Sequence, residues 1–205
     1  MKPELWDIEN ALFAEDFHII AGVDEAGRGP LVGDVYAAAV ILPRGAVITG
    51  LDDSKKLTPK RREAIFDEIT ATAVSYCVAS ADVAEIEEIN ILGATMLAMN
   101  RAISGLSVAP EISLIDGNRN KGILYPNRCV VGGDALSASI AAASILAKVT
   151  RDRYMQALAL EYPGYGFEQH KGYGTEAHYA AIDVLGATAL HRQKFLRKHY
   201  NGGHK

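Results

Sequence analysis

Four carboxylates stand out by type and position: Asp24 and Glu25 in GVDEAGRGPLVG, Asp116 in LIDGN, and Asp134 in VVGGDA. Each falls at or just past the end of a short run of β-forming residues, where a sheet turns side chains toward solvent or a ligand. Four acids gathered at one edge repel each other strongly, so the arrangement makes chemical sense around a divalent cation. The first motif runs on into Gly27-Arg28-Gly29, whose backbone can approach a phosphodiester closely. Acids beside such a loop point to metal-dependent phosphoryl chemistry on a nucleic acid.

Each motif also has a plainer reading. Asp beside Gly is a common turn, and an acidic pair after an apolar strand is often just a solvated loop. The weight comes from recurrence at the same relative position on successive strands. Consecutive strand residues face opposite ways, so Asp24 and Glu25 serve one site only if the chain bends, which Gly27 permits. A dinucleotide loop is excluded: the order is G-R-G-P-L-V-G, Pro30 donates no N–H, and two acids would repel a pyrophosphate. In the loop 163–174, Tyr173 can stack on a sugar or base while Lys171 meets a phosphate; the alternative is an aromatic lid over the core. His170 and His178 stand too far in sequence from any Cys or further His to suggest zinc. Asp152 reads as an ion-pair partner of Arg151 or Arg153, and Cys77 and Cys129 as small hydrophobes within strands.

The positioning elements follow from pattern. FHIIAGV (17–23) reads as a strand, 27–33 as a loop, and DVYAAAVIL (34–42) as a second strand. Thr58-Pro59 opens a helix to about Thr70, and 73–80 is a third strand. Asp82 with Glu85 caps a helix through AEIEEINILGATMLAMNRAIS. EISLI (111–115) and NRCVV (127–131) are strands four and five. A long helix spans Ala135 to about Tyr162, with small residues that let it pack close to a sheet. Thr175 caps a helix to about Leu185. The result is a mixed sheet with helices on its faces. For the acids to meet, strands one, four and five must be neighbours.

The 205 residues suit one structural unit: a core over 1–162, and a C-terminal loop, helix and basic tail over 163–205. No apolar run reaches membrane-spanning length and the start is too polar for a signal peptide, so a cytoplasmic soluble protein is expected. A net charge of -4 is unusual for a nucleic-acid binder. Its distribution is less so: Lys55, Lys56, Lys60, Arg61 and Arg62 form one basic run. Arg192, Lys194, Arg197, Lys198 and Lys205 form another, and the two suggest a phosphate track.

Taken together, VDEAGRGPLVG, DDSKKL, NILGATMLAM, LIDGN, GGDA with SIAAASILAKVTRD, and YGFEQHKGYGT resemble bacterial ribonuclease HII, the type 2 ribonuclease H, from about Ile19 to Phe195. The resemblance implies an α/β RNase H-like fold, with a central five-stranded mixed sheet flanked by helices and a helical C-terminal extension. It implies that Asp24, Glu25, Asp116 and Asp134 are the catalytic acids, holding two Mg²⁺ or Mn²⁺ ions. Gly27, Arg28 and Gly29 match the motif that contacts a ribonucleotide's 2′-hydroxyl, Tyr173 the tyrosine that stacks on the neighbouring sugar, and Lys55 and Lys56 the SKKL element near the backbone. The implied partners are RNA–DNA hybrids and duplex DNA with embedded ribonucleotides, cut 5′ to the ribonucleotide by a monomer. A silent hybrid-binding module, or a DNA resolvase or exonuclease on the same fold, is the rival. Two departures are small: Gly132 replaces a frequent Lys, removing one phosphate contact, and Lys194 a frequent Ser. The residues beyond Phe195 are expected to be disordered.

Overall fold

In the computed structural model, which describes residues 5–51 and 57–201, the strands form where β-branched and small apolar residues cluster. They are β1 (Ile20–Ala26), β2 (Val35–Ile41), β3 (Ser75–Ala81), β4 (Ile112–Asp116) and β5 (Asn127–Val130). Their order in the sheet is β3-β2-β1-β4-β5. β2 runs antiparallel to β1 and β3, whereas β1, β4 and β5 are parallel neighbours. The three strands whose ends carry the acids therefore lie side by side.

Helices cover both faces: α1 (Asp7–Ala14), α2 (Pro59–Thr72), α3 (Val83–Ser104), α4 (Ala138–Glu161), α5 (Phe167–His170), α6 (Glu176–Leu185) and α7 (Gln193–Asn201). Alternation along β2 assigns the sides. Ala37 and Ala39 pack with Met96, Ala98 and Met99 of α3. Ala38 and Val40 pack with Ile65 and Ile69 of α2 and with Ala141 and Ile145 of α4. A third cluster joins Leu31 and Val32 of the β1–β2 loop to Met155 and Leu158 of α4, Phe167, Ile182 of α6 and Leu196 of α7.

Caps fall where side chains supply them. Thr58 accepts from the Arg61 N–H with Pro59 in the first turn, Asp82 and Glu85 form a reciprocal capping box, and Ser137 and Thr175 cap α4 and α6. Several expectations change. α3 breaks at Asn90, whose backbone turns to φ 62° and ψ 169°. Its side chain then recaps the following segment by accepting the Leu92 and Gly93 N–H groups at 2.9 and 3.2 Å. α4 begins at Ala138 rather than Ala135, because residues 133–135 wind into a single 3-10 turn. α1 is an element that the sequence pattern did not predict; its buried Glu9 accepts from the Ser137 hydroxyl at 2.6 Å and the Ser139 N–H at 3.0 Å, fastening α1 to the start of α4. The chain beyond Phe195, expected to be disordered, continues as helix to Asn201 because Leu196 is buried against the third cluster. Cys77 and Cys129 lie in β3 and β5 but are only half-buried.

The tightest joint is between α4 and β1. A Cβ on Gly22 would stand 2.0 Å from the Ser139 carbonyl carbon and 2.2 Å from the Ile140 nitrogen. Backbone atoms cannot swing aside as a side chain can, so even one methyl forces the helix off the sheet. Gly22→Ala is expected to cost about 1–3 kcal/mol or more, read as a lower midpoint in thermal unfolding followed by circular dichroism; a midpoint equal to the parent's would contradict this packing.

Candidate active site

Asp24, two residues after Gly22 on the same strand face, also turns to α4, and its carboxylate meets the Ser144 side chain. Asp24 is 7% exposed. Burial pushes its carboxyl well above the usual range, and the charges of Glu25 and Asp116 push it the same way. Glu25, next along the strand, is also raised, first by burial and further by Asp116, against the opposing pull of Arg28. Three of the expected acids thus feel one another electrostatically. Asp116 ends β4, and its Oδ1 accepts the Gly133 N–H at 2.7 Å. That bond ties β4 to the 3-10 turn carrying the buried Asp134.

The carboxylates are held by near donors rather than closed on one point. Asp24 Oδ1 accepts the Glu25 N–H at 2.7 Å, and Glu25 Oε1 accepts from Arg28 at 2.9 Å. With the side chains so placed, no three Asp, Glu, His or Cys side chains among the described residues gather tightly enough to enclose an ion. The donor set still fits a hard divalent cation: it is all carboxylate oxygen, and its mutual repulsion and burial are what a cation would relieve.

Beside Glu25 opens a cleft of about 670 Å³. One wall is the backbone of Gly27, Arg28 and Gly29 with Tyr173; Ser144 and Lys148 of α4, Arg62 of α2 and Ile91 also line it. Tyr173 is 46% exposed, and its ring carbon Cε1 lies 3.4 Å from where a Cβ on Gly29 would stand. Gly27 turns at φ +97°, and a Cβ there would meet Arg151 Nε at 2.0 Å. Both the conformation and the space therefore demand glycine.

Two arginines that the sequence left among surface charges are buried beneath this loop. Arg151 donates to the carbonyls of Lys171 at 3.0 Å, Val32 at 3.3 Å and Asp34 at 3.3 Å. Arg192 belongs to no phosphate track. It is 0% exposed and donates to the carbonyls of Gly27, Pro30, Gly33 and Arg28 at 2.7 to 3.1 Å. Burial and the nearby Arg151 lower its pKa to about 9, which leaves it charged at neutral pH. Asp152 pairs with Lys148, one turn earlier, and not with Arg151 or Arg153; Arg153 pairs with Glu63.

Other expected residues are less central. The Lys171 ammonium bonds back to the Glu168 carbonyl at 2.7 Å, and Lys171 does not line the cleft. Lys194 is engaged with Glu87. Lys55 and Lys56 lie outside the described residues. His170 and His178, which do not suggest a zinc site by sequence, meet each other and a third histidine. His170 stacks on His178 with ring centres 4.4 Å apart, and His191 lies 5.3 Å from His178. Burial lowers His178, and burial with His178 beside it lowers His191 to about 4, so both rings are neutral at physiological pH. Among the described residues no helix is long and apolar enough to cross a membrane.

Comparison with known proteins bears on this geometry. The ribonuclease HII family profile matches residues 21–201. The ribonuclease HII of Shewanella sp. (strain MR-7) is 56% identical over 196 residues, covering 93% of each chain. That of Burkholderia thailandensis is 57% identical over 177 residues, covering 86% of this chain and 83% of the relative. In the crystal structure of ribonuclease H2 from Pyrococcus horikoshii OT3 the fold recurs with a TM-score of 0.73 at 26% identity, over 88% of this chain and 96% of that one. On these matches the chain belongs to the ribonuclease HII family, a family of ribonuclease H endonucleases.

Proposed function

We propose that the cleft binds a duplex at a ribonucleotide and hydrolyses the phosphodiester on its 5′ side, with Asp24, Glu25, Asp116 and Asp134 holding two Mg²⁺ or Mn²⁺ ions. The observation that carries this reading is the crowding of buried carboxylates next to a glycine loop that faces an exposed tyrosine. Bound divalent ions supply the Lewis acidity that activates a water and stabilises the leaving oxygen. The water oxygen bonds to phosphorus as the P–O3′ bond breaks, leaving a 3′-hydroxyl on one side and a 5′-phosphate on the ribonucleotide.

The chain's own residues do the selecting. The Gly27–Gly29 backbone takes the 2′-hydroxyl, in a loop conformation that a side chain at Gly27 would break against Arg151. A deoxyribose leaves those polar groups unpaired, at about 1–3 kcal/mol per group. Tyr173 packs on the neighbouring sugar and sets the scissile phosphate toward the acids. Arg28, Arg62 and Lys148 bring positive charge to the cleft, enough to receive phosphates on a chain whose net charge is -4.

Asp24 gives the pH signature of the acid cluster. Its folded-state pKa is raised above the unfolded value, so the native state holds its proton more tightly. The resulting destabilisation is full above the folded pKa and fades as pH falls toward the unfolded value. In EDTA, Asp24→Asn is expected to raise the thermal midpoint at pH 8 by about 2–4 °C, with the gain vanishing near pH 4. Excess Mg²⁺ or Mn²⁺ should raise the midpoint of the parent but not of this variant; a metal response surviving in Asp24→Asn argues against a metal role for that residue.

Cleavage itself is read on a labelled DNA duplex carrying one ribonucleotide, with an all-DNA duplex and EDTA as controls. Mg²⁺-dependent cutting 5′ to the ribonucleotide is expected, with the all-DNA duplex intact; cutting of both duplexes alike would favour a resolvase or exonuclease. Asp116→Asn should lose at least about 10³-fold in rate while still binding hybrid. Tyr173→Ala should lose most of its activity with its unfolding midpoint unchanged, and near-parental cleavage by it would remove Tyr173 from the site.

A further inference from the structure

His191 and Arg192 stand side by side ahead of α7, 1% and 0% exposed, and each reaches a different half of the wall formed by the glycine loop and Tyr173. Arg192 gathers the carbonyls of Gly27 and Arg28 on its buried side, at 2.7 and 3.1 Å. In a planar trans peptide the next N–H points opposite to the carbonyl. Holding those two oxygens inward therefore turns the N–H groups of Arg28 and Gly29 outward, on the side where the loop lines the cleft.

The other half is reached through histidines. His191 Nδ1 lies 2.9 Å from the Thr188 N–H and must accept, so a neutral His191 carries its proton on Nε2. That nitrogen is 3.2 Å from His178 Nε2, which accepts it. His178 is left with its proton on Nδ1, 2.9 Å from the Tyr173 carbonyl. One continuous chain, Thr188 to His191 to His178 to Tyr173, fixes both tautomers and ends on the backbone of the stacking tyrosine. Main-chain bonds close the frame: Arg192 N–H to the Leu31 carbonyl at 2.7 Å, and Leu31 N–H to the Gly172 carbonyl at 2.8 Å.

We propose that His191 and Arg192 are positioning residues that set the spacing of the two halves of the ribose-sensing wall, Arg192 by aiming the loop amides and His191, through His178, by seating Tyr173. This rests on the function proposed above. Neither residue touches the substrate; each acts through a group that does. Ribose discrimination is therefore a property of the segment leading into the last helix as well as of the glycines.

The test compares binding of a one-ribonucleotide duplex with that of the same all-DNA duplex, in Ca²⁺ to hold off cleavage, alongside kcat and KM in Mg²⁺. Arg192→Lys keeps the charge but cannot fork to four carbonyls. It is expected to lose about tenfold of the binding preference for the ribonucleotide, the equivalent of one hydrogen bond, with all-DNA binding unchanged. Its kcat should fall about 10²-fold, as for a small misplacement of reacting groups. For the histidine arm, His191→Ala should lower kcat with KM nearly constant, His191→Gln should recover much of the loss by restoring a donor, and His191→Ala should add nothing in a Tyr173→Ala background. All variants are compared at a temperature where unfolding curves show them native, and a variant that is not native there is judged by the other arm. Retained preference and turnover in Arg192→Lys, equal loss of binding to both duplexes, or additive effects of His191→Ala and Tyr173→Ala would each overturn the proposal. A parent enzyme indifferent to the ribose would instead defeat the function reading, and this inference with it.

Discussion

The approach of α4 to β1 at Gly22 governs everything else in the molecule. One face of that helix, read from its start, touches each part of the site in turn. Ser137 and Ser139 hold Glu9, and Ser144 meets Asp24. Lys148 lines the cleft, Arg151 lies under Gly27, and Met155 and Leu158 enter the cluster that seats α6 and α7. From Ser137 through Ser144, Lys148, Arg151, Met155 and Leu158 the spacings of seven, four and three keep the groups on one side of the helix, with Ser139 turned aside toward Gly22 and Glu9. Because the helix backbone is pinned to the strand with no room for a methyl, its rotation and height are fixed. The chemistry-bearing side chains inherit that precision.

Charge is sorted by depth around the loop 27–33. Glu25 lines the cleft with Asp24 buried next to it, while two guanidinium groups, those of Arg151 and Arg192, are buried against carbonyl oxygens. A buried charge without partners is very costly, and these two are satisfied mainly by carbonyl oxygens, seven between them. Guanidinium suits this use because its planar fork presents five donors and is less strongly hydrated than an ammonium. The loop gains rigidity without regular secondary structure. A segment containing Gly27, Gly29, Pro30 and Gly33 would otherwise have wide conformational freedom.

Strand positions, the helix caps at Thr58, Asp82 and Thr175 and the adjacency of β1, β4 and β5 were legible in the sequence because each rests on local pattern or on one simple constraint, that the acids must meet. The break at Asn90 was not, since Asn in the left-handed region is tolerated but not demanded by neighbouring residues. The burial of Arg192 and the meeting of the histidines were not legible for a different reason. The sequence HRQKF reads as surface charge, and only the tertiary fold turns Arg192 toward carbonyls more than 150 residues away in the chain. The three histidines meet because α5, α6 and the segment before α7 pack around Phe167. Nothing in their sequence spacing encodes that.

The acids are close enough to repel yet are not closed around a point, and the energies say what that costs. Asp24 is the expensive member: deeply buried and raised further by its neighbours, it would be relieved by a cation held as proposed. Glu25 is the adjustable one. Its Oε1 is engaged by Arg28, whose side chain is 51% exposed, and an ion pair so solvated is worth only about 0–1 kcal/mol. Exchanging that partner for a divalent cation is therefore cheap, while the buried carboxylate supplies the larger drive. In the proposed function the same short loop would balance the acids through Arg28 and, once a cation held Glu25, offer that charge to a phosphate.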